Sequence, residues 1–290
     1  MKTLGSRDIN NKIQQLMLRS GVKKPQIAYH YTTNKAFHDI VENGYFRLSN
    51  VRASNDYMER EWLYREILPR VIRARKSASD RKQLQQLERV SQSYSKSRRL
   101  YISAFSSIKD ALGQWRGYAD GGHGVALGIN FSKAPVGIPS SAKMDWPSES
   151  FAPILYKSEQ QLEIVEYVAD QYLKAVKAAS DMGAVMHLTM AYASRIESLA
   201  FICKNEAFGE EQEFRVMFDV WNGSRYLKHV NFEASQERLR MFYQIKFEKT
   251  DLREVILGPK NSSDTSEVEM FLEKNGYKNA KVSLSKVSYR

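Results

Sequence analysis

The order of periodic segments along this chain predicts an α+β fold. Strand-like and helix-like stretches do not alternate evenly, as a doubly wound parallel sheet would require. Two long helical stretches, 158–178 and 185–202, follow one another, while short strand-like runs gather before and after them. No internal repeat points to a solenoid or a propeller.

The first elements read clearly. Ile9, Ile13, Leu16 and Met17 recur at helical spacing and predict a helix over 7–19. Residues 27–32 read as a strand and 34–43 as a helix whose Phe37, Ile40 and Val41 share a face. Gly44 supplies the left-handed stop, and 45–50 is a second strand. A helix over 56–68 is expected to break near Pro69. Residues 70–99 carry only a thin apolar stripe, Leu84, Leu87 and Val90, and predict two helices on the outside of the core.

The second half continues in the same mixed order. Strands are expected at 100–106, 125–131, 151–157, 211–220, 241–248, 255–258 and 282–284. A helix over 110–118 leads into the tight turn Asp120-Gly-Gly-His-Gly124, read as a hairpin turn, and 132–150, with three prolines, reads as a loop. Ser158 with Gln161 has the spacing of a capping box. Asp264 and Glu267 open a last helix that Gly276 stops.

Composition narrows the function classes. At 42% apolar residues a substantial core is expected, organised as a single domain over 1–290. No apolar run has the length of a membrane span, and the N-terminal residues lack a secretory pattern, so a cytoplasmic protein with no membrane partner is expected. Cys203 is the only cysteine, which excludes an internal disulfide and a cysteine-based zinc site. No metal site is expected, and there is no GxxxxGK[ST], dinucleotide GxGxxG or HExxH motif.

Net charge is +11, and much of it lies in 70–99, where ten basic side chains meet only Asp80 and Glu88. That segment is either a solvated helix face or a surface for nucleic acid.

Three segments carry candidate chemistry. His30 and Thr32 lie two apart on a strand and so share a face. Tyr101, Ser103 and Phe105 do the same, and an aromatic there, or Tyr118 on the next helix, can stack on a flat ring. Glu211, Glu213 and Arg215 alternate at the expected start of a strand. Such a trio is either a salt-bridge array at the rim or an active site, because adjacent carboxylates are costly to bury.

These motifs resemble an uncharacterised bacterial family of unknown-function domains. The resemblance rests on His30-Tyr31-Thr32, Leu48-Ser49, Asn55-Asp56-Tyr57-Met58-Glu59, Ser103-Ala-Phe105-Ser106, Trp115-Arg116-Gly117-Tyr118-Ala119, Gly124-Val125-Ala126-Leu127-Gly128, Glu211-Gln-Glu213-Phe214-Arg215 and Ile256-Leu257-Gly258-Pro259. It spans about 28–287, and Tyr57-Met58 stands where the family usually has Pro-Phe.

A more distant resemblance is to ADP-ribosyltransferases of the diphtheria-toxin and poly(ADP-ribose) polymerase type, a class that includes RNA 2′-phosphotransferases. It implies a mixed or antiparallel split β-sheet core over about 26–56, 100–157 and 205–287, with helical insertions at about 57–99 and 158–204. It implies NAD as cofactor and a strand His, an aromatic and a strand Glu as the site.

His30 matches the first role, Tyr101 or Phe105 the second, and Glu213 or Glu211 the third. Tyr31 replaces the usual small residue after the histidine. Tyr31, Thr32 and Ser103 fall among the implied cofactor-binding residues, and Arg47, Arg52 or Arg116 are expected at the pyrophosphate.

The implied activity is cleavage of NAD+ with transfer of ADP-ribose to a nucleic acid or protein, as in a toxin or phage-defence effector restrained by an antitoxin or regulatory partner. On this reading Glu213→Gln abolishes turnover and leaves the fold intact, and strands 27–32 and 211–219 bring His30 and Glu213 to one cleft. A non-catalytic nucleic-acid-binding module using 70–99 is the alternative.

Overall fold

The computed structural model describes residues 6–51, 57–94, 98–134, 136–138, 150–221, 230–234 and 239–289. Helix α1 (Ser6–Arg19) buries Ile9, Ile13, Leu16 and Met17, the face its spacing predicts. Strand β1 (Ile27–Thr32), helix α2 (Asn34–Asn43) and strand β2 (Tyr45–Asn50) fall on the expected boundaries.

Local chemistry sets both ends of α2. The Thr33 hydroxyl accepts the Ala36 amide at 3.2 Å, and Gly44 closes the helix at φ 70°. Gly44→Ala forces a Cβ into that left-handed conformation and should cost about 1 kcal/mol. A thermal melt checks this, with a drop of roughly 2–4 °C expected.

The next segment departs from expectation. Helix α3 (Tyr57–Trp62) runs through a π-helical turn (Leu63–Ile67) directly into α4 (Leu68–Arg73). Pro69 lies in the first turn of α4, where the ring's fixed φ suits a helix, so it does not end the helix as predicted. Helix α5 (Ala78–Tyr94) follows, with Leu84 and Leu87 fully buried.

The central elements are strand β3 (Arg98–Ser106), helix α6 (Leu112–Tyr118), and strands β4 (Val125–Asn130) and β5 (Ser150–Pro153). The glycine-rich turn connects α6 to β4, so it is a helix-to-strand turn and not a hairpin. Two long antiparallel helices follow, α7 (Ser158–Lys177) and α8 (Met182–Ala200).

Ser158 and Gln161 form no capping box: Lys157 is the N-cap, without a side-chain bond. Gln161 is instead fully buried. Its amide donates to the Leu155 and Lys204 carbonyls at 2.6 and 2.8 Å, and its carbonyl oxygen accepts the Trp62 indole N–H at 2.9 Å.

Helices α5, α7 and α8 pack on one another, so the two helical segments of the sequence form one layer. Buried within it, Arg60 makes a two-pronged bond to Glu197 at 2.8 and 3.0 Å, and the Tyr64 hydroxyl donates to the same carboxylate. The 70–99 segment therefore contributes to the core, while Arg70, Arg73, Lys76, Lys82 and Arg89 stay exposed. Arg75 is spent on Asp170, and Arg81 on the Arg75 and Lys76 carbonyls.

After α8, a 3₁₀ turn (Glu206–Glu211) precedes strand β6 (Glu213–Trp221). Strand β7 (Val230–Ala234), unmarked in the sequence reading, comes next. The chain ends with β8 (Leu239–Lys246), β9 (Leu252–Leu257), α9 (Thr265–Lys274) and β10 (Lys281–Leu284).

Among the described residues the fold is α+β, with a mostly antiparallel open sheet. Its order is β10-β9-β4-β1-β3-β2-β8-β7, and only β9 and β10 pair in parallel. The sheet forks at β3. One edge of β3 pairs with β6 along its whole length, while its other partners are β1 at a single point, Tyr29–Ser106, and β2 at Ile102 and Tyr101. Strand β5 then pairs with β6.

Candidate functional site

At Ser106, β3 faces Tyr29 of β1 on one side and Glu213 of β6 on the other. Strands β1 and β6 are thus one strand apart rather than adjacent, a separation of roughly 10 Å. Their ends nevertheless line one cleft. Tyr29, His30, Tyr31, Phe105, Tyr118, Lys204, Glu211 and Glu213 border about 470 Å³ of space, including its open mouth.

His30 is partly exposed, and its ring packs against Phe46 and Phe105 with centroids 5.5 and 5.3 Å away. Its Nδ1 lies 3.0 Å from the Ala104 carbonyl oxygen. A carbonyl only accepts, so Nδ1 carries the proton and Nε2 keeps a free lone pair. Burial lowers the imidazole pKa below its ordinary value, outweighing the Ala104 bond, and holds the ring neutral.

The carboxylates are not equivalent. Gln212 adopts a left-handed conformation at φ 44°, so Glu211 ends the 3₁₀ turn and does not continue the strand alternation that the sequence predicts. Glu213 is the first residue of β6 and is buried. Arg215 grips it at 2.6 and 3.1 Å, and Lys204 reaches it at 3.3 Å. Burial alone would raise the Glu213 carboxyl, but Arg215 and Lys204 together outweigh burial and hold it below its ordinary value.

Glu211 pairs with Lys204 at 2.5 Å and accepts the Tyr118 hydroxyl at 3.0 Å. Its side chain is 15% exposed against 8% for Glu213, which makes it the carboxylate at the surface of the cleft.

Supporting bonds fix these positions. The Tyr156 hydroxyl accepts the Glu213 amide, and the Ser106 hydroxyl donates to the Glu211 carbonyl. The Tyr31 hydroxyl donates to the Ile108 carbonyl and accepts the Ala111 amide, and its ring meets Trp115 edge-on at 4.8 Å. Tyr31 thereby anchors the start of α6, which carries Tyr118 to the cleft. Burial, reinforced by Glu211, raises the Tyr118 phenol, so it stays protonated and donates.

The other anticipated residues lie elsewhere. Tyr101 is fully buried against Tyr243 and does not reach the cleft, whereas Phe105, itself buried at 2% exposure, borders it. Thr32 is buried, Ser103 lines a separate larger pocket, and the Arg116 guanidinium stacks on Tyr289 at 4.8 Å. Arg47 borders a small adjoining pocket with His30 and is tied to Asp39 and Glu233 at 3.6 and 3.2 Å. Arg52 lies outside the described residues.

The sequence reading opened its third segment at Lys204 but gave no role to it or to Tyr156. The available signal was a lysine closing the apolar run Leu199–Cys203 just ahead of the acidic stretch. Among the described residues no cluster of His, Cys, Asp and Glu has the makings of a metal site, and no helix is long and apolar enough to cross a membrane.

Fold and site together define an α+β protein with a forked sheet and an ion-paired, tyrosine-flanked cleft at the fork. Residues 114–216, which include Trp115, Tyr118, Lys204, Glu211, Glu213 and Arg215, match the model of a family described as protein of unknown function (DUF2971). The resemblance to an uncharacterised family is thereby borne out over that stretch. No curated protein and no solved structure matches the chain.

Proposed function

We propose that this protein is an ADP-ribosyltransferase-like enzyme that cleaves NAD+ and transfers ADP-ribose to a macromolecule. The carrying observation is convergence: His30, Phe105 and Glu211, far apart in sequence, line one cleft. The fork at β3 supports the split-sheet core that the resemblance implies.

The chemistry follows from the charges. The nicotinamide–ribose bond breaks with its electron pair going to the ring nitrogen, leaving an oxocarbenium-like sugar that an acceptor oxygen or nitrogen attacks, losing its proton. Glu211 stabilises the developing positive charge and accepts a ribose hydroxyl proton in hydrogen bonding. His30 Nε2 accepts a second ribose hydroxyl and orients the sugar. Phe105 offers its ring to nicotinamide. Glu213, neutralised by Arg215 and Lys204, positions Lys204 and through it Glu211. The exposed cations of α4 and α5 suit an anionic acceptor such as nucleic acid. A toxin or phage-defence role fits such an activity, and an antitoxin or regulatory partner would restrain it.

Chromatographic measurement of free nicotinamide after incubation with NAD+ tests the reading. Release by the wild type and its loss in His30→Ala are expected, and a wild type that releases none refutes it. The pH profile is a further check. With its pKa lowered, His30 stays neutral from alkaline pH down past the ordinary histidine value, so the rate should be level through pH 7 and fall only in acid. A limb already falling at pH 7 contradicts the role.

The alternative, a nucleic-acid-binding module, draws on those same exposed cations. It predicts binding that weakens steeply with salt and ignores NAD+.

A further inference from the structure

A second, larger pocket opens on the sheet face that carries His30, and the chemistry above makes no use of it. It encloses about 1050 Å³ including its mouth. Five phenylalanines form its walls: Phe46, Phe105, Phe131, Phe151 and Phe247. Phe131 stacks on Phe151 at 4.2 Å, and Phe105 meets Phe131 edge-on at 4.8 Å. Ring surface of this kind favours a flat aromatic guest.

Two observations refine the class of guest. Ser103 and Ser150 also line the pocket, are 6% and 5% exposed, and have hydroxyls without a hydrogen-bond partner. A hydroxyl left unpaired among phenyl rings is costly, and a ring with a polar edge relieves that cost. Lys133, Lys246, Glu248 and Asp251 stand at the solvent side, and none of the four makes an ion pair among the described residues. Two unspent cations beside two unspent anions disfavour a purely anionic guest such as a phosphate, and equally a purely cationic one. They complement a molecule that carries both signs.

We infer that this pocket binds an aromatic zwitterion of the amino-acid class, ring inward with its polar edge at Ser103, and ammonium and carboxylate among the four charges of the mouth. The site is independent of the NAD+ reading, although Phe105 borders both spaces.

Calorimetric titration of the full chain with L-tryptophan is the test. Saturable binding is expected, and N-acetyltryptophanamide, which lacks both charges, should bind at least tenfold more weakly, roughly the effect of losing one charge-assisted bond. The rim variant Lys246→Gln/Asp251→Asn should lose a similar factor without touching the core. Ser103→Ala should weaken tryptophan roughly fivefold and leave L-phenylalanine, whose ring has no polar edge, unchanged. Val216→Trp, filling the pocket beside Ser103, should abolish binding; if it does not fold, the rim variant decides. The inference is overturned if tryptophan does not bind saturably, if the uncharged amide binds as well, or if the rim variant binds normally. Displacement of tryptophan by NAD+ overturns it too, because the pocket would then belong to the nucleotide site.

Discussion

Glu213→Gln should lose about 3 kcal/mol of stability and melt roughly 6–10 °C below the wild type. The carboxylate is buried and answers two cations, Arg215 at 2.6 Å and Lys204 at 3.3 Å. An amide keeps the shape and removes the charge, so the buried Arg215 guanidinium loses its ionic partner at this position while keeping the Phe201 carbonyl at 2.9 Å. Arg215→Met added to Glu213→Gln should restore much of the loss, since removing both members of a buried pair costs less than removing one. A double variant no more stable than the single would refute the pairing account.

The same network predicts acid sensitivity. The folded-state pKa of Glu213 lies below its unfolded value, so its contribution is complete above the unfolded value near 4.5 and fades as pH falls toward the depressed folded value. Melting temperatures taken from pH 7 to 3 should decline mainly below about pH 4.5, and the Glu213→Gln variant should show less of that decline. This replaces the expectation that Glu213→Gln spares the fold. The sequence displays two carboxylates in tandem, and burial decides which of them holds the structure.

What the chain reveals before folding follows the range of the forces involved. The run from β1 to β2 was legible to the residue because local chemistry defines it: alternation in the strands, Thr33 and Gly44 at the ends of α2. Pro69 misled because the helical run interrupted just before it continues past the ring: a π turn over Leu63–Ile67, which has no sequence mark, replaces the regular α ladder there and the chain stays helical. Gln161 misled in the other direction. Its spacing from Ser158 suits a capping box, but three bonds, to the buried Leu155 and Lys204 carbonyls and from the half-buried Trp62 indole, outweigh a solvent-exposed cap.

The site was legible in parts only. His30, Phe105 and Glu213 could be named because strand alternation places them, whereas Glu211 reaches the cleft from the 3₁₀ turn, and Tyr101 satisfies the same alternation without reaching the cleft. Which aromatic meets the cleft depends on where β1 touches β3, a single long-range contact that alternation does not encode. Lys204 had no assigned role for the same reason, since its partners become visible only when the 3₁₀ turn folds back on the end of α8.

Glu211→Gln should separate function from stability. Its carboxylate lies at the cleft surface with Tyr118 and Lys204 as partners, and the amide can still accept the Tyr118 hydroxyl. Lys204 keeps Glu213, so no buried cation is abandoned, and the melting temperature should stay within a few degrees of wild type. Turnover should nonetheless fall about 10²–10³-fold, the usual effect of removing one preorganised group that meets charge developing in the transition state. Binding of intact NAD+, measured by calorimetry, should change far less than nicotinamide release, because the interaction strengthens only as the bond breaks. Tyr118→Phe should fall between the two, since it frees Glu211 to move without removing its charge. If Glu211→Gln releases nicotinamide at the wild-type rate while a folded Glu213→Gln/Arg215→Met is inactive, the two carboxylates exchange roles and the buried one faces the sugar. If both variants are fully active, the cleft does not perform this reaction.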